Sequence, residues 1–265
     1  MSSVAGRLLG SGDGDLEVVV LGASGTHPSA GRACSGYLVR TPSTNLVLDM
    51  GNGSTTRLYE HVRVEDVDAI VLSHPHADHC VDLIGFYYAL RFHPDAPLSV
   101  DVHAPPGTEE FLAQLVSSDS EARFGDVCRF HDARPGGELE VGDLRVRFFP
   151  SIHVVPAVSV RIEHDGRVVT YSGDSAGGEW LEQAARDADL FLCEASWQGS
   201  ADAYPAGLHL TATGAGEVAT AAGAKSLVLT HLWPANDRDT VRAEAEAAFG
   251  RRIDFAEDRD VWRVG

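Results

Sequence analysis

The segment DAIVLSHPHADH, residues 68–79, runs an apolar, strand-like stretch directly into three histidines and an aspartate within six positions: His74, His76, Asp78 and His79. A chain needs none of these residues to turn. Neutral imidazoles and carboxylates are, however, natural ligands for zinc and similar divalent ions. His74 and His76 are two apart, so in an extended segment both project from the same side. Asp78 and His79 follow where the chain enters a helical pattern at 80–92. The loop can therefore serve two ions, one through each pair.

Two ions need more ligands, and rigid ones sit at strand ends. Three such positions occur: His153 after LRVRFFP, Asp174 closing RVVTYSGD, and His231 closing KSLVLTH. Other strand-like runs are EVVVLG (17–22), GYLVR (36–40), NLVLDM (45–50), LSVDVHA (98–104), AVSVRIEH (157–164) and DLFLCEA (189–195). Several alternate apolar and polar residues, and others are apolar throughout, as in buried strands. Helical spacing appears at 54–62, 80–92, 108–116, 211–223 and 238–250, the last two ending on glycine. The pattern predicts an α+β chain of two mixed sheets packed together and covered by helices. Residues 16–265 read as a single domain and 1–15 as a flexible N-terminal tail.

Composition narrows the function. The chain has 265 residues, 44% of them hydrophobic, enough for a substantial core. Its net charge of −18 disfavours nonspecific binding to DNA or RNA, which relies on basic patches. The four cysteines, Cys34, Cys80, Cys128 and Cys193, lack CxxC spacing and read as reduced thiols in or near the core. The N-terminus lacks the apolar core of a signal peptide, and no apolar run approaches the ~20 residues of a membrane span. A cytoplasmic protein without membrane contact is expected.

HPHADH, SIH, SGDS and THLWP, in this order, resemble the signature motifs of the metallo-β-lactamase superfamily, over roughly residues 17–260. The resemblance implies a four-layer αββα sandwich with two divalent metals, zinc or else manganese or iron, at one edge. It implies that His74, His76 and His153 hold one metal and that Asp78, His79 and His231 hold the other. Asp174 would bridge both, and Asp49 of LVLDMGNG would orient the metal loop from behind. A hydroxide between metals ~3.5–4 Å apart would be the nucleophile. A nonhydrolytic metal sensor would be expected to lose ligands, and all seven are present.

Two divalent ions, two carboxylates and a hydroxide leave a centre of about +1, which suits a phosphodiester monoanion. LHLTATGAGEVATAAGAKSLVLTH (208–231) resembles the RNase Z-like phosphodiesterase branch. There, a histidine at the position of His209 gives a proton to the leaving oxygen, and a glutamate at the position of Glu194 orients it. Glu194 and His209 are thus expected to be catalytic together with Asp78, and Thr211 is the better helix cap.

The long tRNA-gripping arm of true tRNA-processing enzymes has no counterpart, because His153 and Asp174 are only about twenty positions apart. LGASGTHP, SGYLVR, LSHPHADHC, YSGDS, LFLCEASW and LHLTATGAGEVA are similar to small actinobacterial-type cyclic-nucleotide phosphodiesterases. This implies a small anionic substrate such as 3′,5′-cyclic AMP, no long nucleic acid, and a homodimer. Trp233 and Trp197 are candidates to stack a base, and His27 to contact phosphate, while Tyr87, Tyr88 and Arg91 read as a core-packing face with a surface arginine. The alternative is hydrolysis of thioesters, esters or lactones on the same metals, or RNA processing.

Overall fold

The structure, a computed structural model, describes residues 7–9, 15–96, 98–116 and 124–265. The first strands are β1 (Arg7–Leu9), β2 (Leu16–Gly22), β3 (Gly36–Arg40), β4 (Asn45–Met50), β5 (Ala69–Val71), β6 (Val100–Ala104) and β7 (Cys128–Asp132). There follow β8 (Glu138–Val141), β9 (Leu144–Pro150), β10 (Val158–His164), β11 (Arg167–Tyr171), β12 (Leu190–Glu194), β13 (Leu227–Thr230), β14 (Asp254–Phe255) and β15 (Val261–Val264). They form an eight-stranded sheet, β1-β15-β2-β3-β4-β5-β6-β7, and a seven-stranded sheet, β14-β13-β12-β11-β10-β9-β8. Of the stretch read as a tail, Arg7–Leu9 lies parallel to β15, and residues 1–6 and 10–14 fall outside the described residues.

Strand periodicity explains the layering. In β2, Leu16, Val18 and Val20 face the space between the sheets, and Val19 and Leu21 face the other way. The inter-sheet core joins them to Tyr37, Leu48, Val160, Tyr171 and Leu192. Behind the first sheet lie α1 (Ser54–Leu58), α2 (Ala77–Cys80), α3 (Leu83–Arg91) and α4 (Thr108–Ala113), which supply Leu58, Phe86, Leu90 and Leu112. Behind the second lie α5 (Glu179–Ala184), α6 (Ala212–Ala221) and α7 (Arg238–Phe249), which supply Leu181, Val218 and Val241. The expected αββα sandwich is observed. All four cysteines are free and buried, and among the described residues no helix is long and apolar enough to cross a membrane.

Each sheet changes character partway across. β2-β3-β4 and β8-β9-β10-β11 are antiparallel, whereas β4-β5-β6-β7 and β11-β12-β13-β14 are parallel. Open sheets with parallel strands place ligands outside the strands' carboxyl ends, and the expected metal-site and catalytic residues lie at or just beyond the ends of β4, β5, β9, β11, β12 and β13.

The helix predicted over 80–92 is corrected: α2 and α3 are separate, with Asp82 between them. The Asp82 carboxylate accepts from the N–H groups of Gly53 (2.9 Å) and Thr55 (3.0 Å) at the start of α1, which fixes the break. Thr211 does cap α6, accepting from Gly214 N–H at 3.1 Å. β7, β8, β14 and β15 were not among the predicted strands. β7 is a largely exposed edge strand, CRFHD, whose polarity conceals it.

Leu192→Ala, which empties a 1%-exposed position in the inter-sheet core, should cost about 2–5 kcal/mol, read as a lower midpoint in denaturant unfolding.

Candidate metal centre

The centre is built on a bulge. Along β4, Leu48 pairs with Tyr37 and Met50 with Gly36, so Asp49 is the extra residue, at φ 56°. Its carboxylate is fully buried and accepts from Ser73 N–H (2.7 Å), Ser73 Oγ–H (2.8 Å), Tyr171 O–H (2.7 Å) and the His79 ring at Nδ1 (2.7 Å). Ser73, the residue just before the 74–79 loop, is thus pinned as the chain leaves β5. Gly51 is required beside the loop, because a Cβ there would stand 2.0 Å from the Asp78 carbonyl oxygen.

Two groups of side chains converge. In one, His76 Nδ1 lies 3.1 Å from His74 Nε2 and 3.2 Å from His153 Nε2. Asp174 Oδ2 is 3.5 Å from His74 Nε2 and 3.9 Å from His153 Nε2. In the other, Asp78 Oδ2 is 3.1 Å from His231 Nε2 and 3.6 Å from His79 Nε2. Asp174 Oδ1 is 3.1 Å from His79 Nε2 and 3.4 Å from His231 Nε2. Asp174 turns one oxygen to each group.

These spacings fit cations. Donor atoms around a tetrahedral ion bound at ~2.0–2.1 Å stand about 3.3 Å apart. His79 Nε2 and Asp174 Oδ1 are buried without any hydrogen-bond partner, a costly state that an ion would relieve. The opposite ring nitrogens are already engaged: His74 Nδ1 with Ser73 Oγ (3.0 Å), His153 Nδ1 with the Leu208 carbonyl (2.8 Å), and His231 Nδ1 with Ser196 Oγ (2.9 Å). Such partners select the tautomer whose Nε2 lone pair faces the centre.

Protonation in the metal-free protein follows the same layout. Burial lowers the His74 and His76 pKa values and pushes His153 down to about 4. Burial also opposes charge on His79, but the Asp174 and Asp49 carboxylates overcome it and hold this ring well above the ordinary histidine value. Burial would raise Asp174, yet His231, His79 and His74 hold it well below the usual carboxylate range.

His209 stands beside the centre. Its Nδ1 is 2.9 Å from Glu194 Oε1 and 3.7 Å from Asp174 Oδ2. Burial opposes its charge, but the hydrogen bond to Glu194 and that carboxylate's charge raise its pKa. Glu194 is fully buried and also accepts from Ser175 N–H (2.8 Å), Ser196 N–H (3.1 Å) and Ser196 Oγ–H (2.8 Å).

The remaining expected residues lie less centrally. Trp197 has one face stacked on Tyr204 (4.4 Å, 7°) and its ring edge-on to His209 (5.2 Å, 85°), so it forms a wall behind that histidine. Trp233 is 44% exposed, two residues past His231. His27 is exposed, with Nδ1 3.0 Å from the Pro28 carbonyl. Tyr87 is buried and accepts from Arg91 at 3.0 Å, in the helix-side core as expected. Four participants escaped the sequence reading: Ser73, Tyr171, Ser196, and the Thr26 N–H, which donates to Asp78 Oδ2 at 2.9 Å. The hydroxyl residues adjoin recognised motifs, but nothing in the sequence distinguishes them from other strand-end serines and tyrosines.

The sequence profile of the beta-lactamase superfamily domain matches residues 44–232. The chain belongs to the metallo-β-lactamase superfamily. The uncharacterized protein ML1173 of Mycobacterium leprae is 36% identical over 88% of this chain and 84% of its own. The probable metallo-hydrolase YhfI of Bacillus subtilis is 30% identical over 93% of this chain and 99% of its own. The crystal structure of YhfI matches with a TM-score of 0.83 at 28% identity, again covering 93% and 99%. Ribonuclease Z of Methanopyrus kandleri is 30% identical over 89% and 94%. As a superfamily member the protein is a metallo-hydrolase, and a divalent metal is implied. A cleft of about 1420 Å³ at the opposite end of β2–β4, beside Arg40, His61 and Arg63, shares no residue with the superfamily centre. Its arginines are already paired, Arg40 with Glu17 and Arg63 with Asp66.

Because a proton on His79 must leave before a cation can use Nε2, zinc uptake near pH 7 should release protons and weaken as pH falls. Calorimetry in buffers of different ionisation enthalpy checks this, and a buffer-independent heat would contradict it. Asp49→Asn should lower zinc affinity roughly 10–100-fold, measured by chelator competition.

Proposed function

We propose that this metallo-hydrolase is a phosphodiesterase acting on small phosphodiesters such as 3′,5′-cyclic AMP. In this reading His74, His76 and His153 hold one divalent cation, Asp78, His79 and His231 a second, and Asp174 serves both. Bound there, the cations supply Lewis-acid polarisation of a phosphoryl oxygen and a lowered pKa for water.

The observation that carries the reading is the buried Glu194–His209 pair beside Asp174. Glu194 accepts a hydrogen bond from His209 Nδ1–H and leaves Nε2 to face a substrate. As a water-derived hydroxide forms a new bond to phosphorus and the P–O3′ bond breaks, an imidazolium at that place can give its Nε2 proton to the departing 3′ oxygen, yielding the 5′-monophosphate. A sugar alkoxide leaves poorly without such a donor, whereas an activated ester needs none. Trp197 and Tyr204 limit how far His209 can swing. Ribonuclease Z, a relative by sequence, bears a name for phosphodiester chemistry. Between His153 and Asp174 this chain has only the β10–β11 hairpin, which supports a substrate smaller than RNA. Trp233 and His27 are placed at the rim in this proposal, for a base and a phosphate respectively.

The test is turnover of 3′,5′-cyclic AMP by zinc- or manganese-loaded protein. AMP should form with the unaltered chain and not with Asp174→Ala. His209→Ala should lower kcat on cyclic AMP about 10²–10⁴-fold and have little effect on bis(4-nitrophenyl) phosphate, whose leaving group needs no proton. No AMP from metal-replete protein rejects the cyclic nucleotide. Equal losses on both substrates would reject the donor role of His209.

A further inference from the structure

One buried carboxylate reaches two imidazoles that the proposed reaction uses differently. Glu194 Oε1 meets His209 directly, at 2.9 Å. Glu194 Oε2 meets Ser196 Oγ at 2.8 Å, and Ser196 Oγ is 2.9 Å from His231 Nδ1. Ser196 is 3% exposed, so neighbouring groups, and not bulk water, decide where its hydroxyl proton points. Counting protons settles the direction. An ionised carboxylate only accepts, and a hydroxyl has a single proton to give. The rival acceptor, the His231 carbonyl, is farther away at 3.3 Å. The Ser196 proton therefore goes to Glu194, and Oγ presents a lone pair to His231. His231 must then carry its own proton on Nδ1, which leaves Nε2 aimed at Asp78 and Asp174.

His231 lies in the left-handed region at φ 51°, and a Cβ at Gly25 would stand 2.5 Å from its carbonyl oxygen and 3.0 Å from Nδ1. The left-handed backbone and the close approach of Gly25 restrict where the ring can lie, and the Ser196 hydroxyl is the hydrogen-bond partner that its Nδ1 meets there.

We infer that Ser196 is a positioning residue: its hydroxyl fixes the Nδ1–H tautomer of His231 and ties that metal-facing ring to the carboxylate that holds His209. The inference rests on the two-cation reading above. Ser196 touches neither substrate nor cation and acts through His231.

The experiment compares unaltered protein with Ser196→Ala and Ser196→Thr. Two-dimensional ¹H–¹⁵N spectra of the histidine rings read the tautomer in zinc-loaded protein, and equilibrium dialysis with zinc reads stoichiometry and affinity. Cobalt substitution adds a visible absorption spectrum as a reporter of ligand geometry. The expected result is two ions in the unaltered chain and Nδ1-protonated His231. Ser196→Ala should weaken one of the two ions roughly 10–100-fold, with an altered cobalt spectrum and loss of the single tautomer. Ser196→Thr, which keeps the hydroxyl, should restore the tautomer. If Ser196→Ala is folded and keeps both the tautomer and two wild-type affinities, the inference is overturned. A Thr variant that is folded and fails as badly as Ala overturns it too, since side-chain bulk would then be the cause. Should either variant not fold, the tautomer of His231 in the unaltered protein decides: Nε2-protonated His231 refutes the inference. Unaltered protein that binds no metal refutes the underlying two-cation reading instead.

Discussion

The arrangement depends on burying one carboxylate, that of Asp49, between two sheets. An ionised group without water is very costly unless every lone pair is met. Here four donors meet it, from Ser73 on the first sheet's loop, from His79, and from Tyr171 of the second sheet. The same bonds that compensate its burial fix the start of the 74–79 loop, the tautomer of His79 and the relation between the sheets. Glu194 repeats this arrangement at the far side of the centre, again as a fully buried carboxylate with four donors. Two such anions, each saturated by donors, hold two banks of histidines in facing positions.

Strain is gathered at the same place. Three of the described non-glycine residues with left-handed backbone are Thr26, Asp49 and His231, at φ 64°, 56° and 51°. Gly173, at φ 58°, directly precedes Asp174. Left-handed conformations cost free energy and persist where surrounding structure over-determines them. His231 directly follows β13, Asp49 is the bulged residue near the end of β4, and Thr26 lies in the loop after β2, its N–H turned to Asp78.

Much of this was legible in the sequence because ligands are chemically conspicuous. His74, His76, Asp78 and His79 crowd one loop, and His153, Asp174 and His231 each come just after a strand, so residue type and position coincide. The inter-sheet core was legible as well, through the alternation in β2 and the apolar runs of β12 and β13. What stayed hidden depends on partners distant in sequence. Ser196 and Tyr171 acquire their roles only when folding brings Glu194, His231 and Asp49 beside them. The break between α2 and α3 is set by Asp82 reaching 29 residues back to Gly53, and no local periodicity records that. β7 and β8 are polar on their open faces, so alternation fades where the edge meets water.

The two histidine banks come from different sheets: the 74–79 loop from the first, and His153, Asp174 and His231 from the second. A cation gripped from both sides would work as a rivet through the open edge of the sandwich. Separating the sheets would mean losing the ion, so durability would follow the free metal concentration, deepening with the logarithm of that concentration over the dissociation constant. How long this fold lasts would then be set partly by the supply of metal around it.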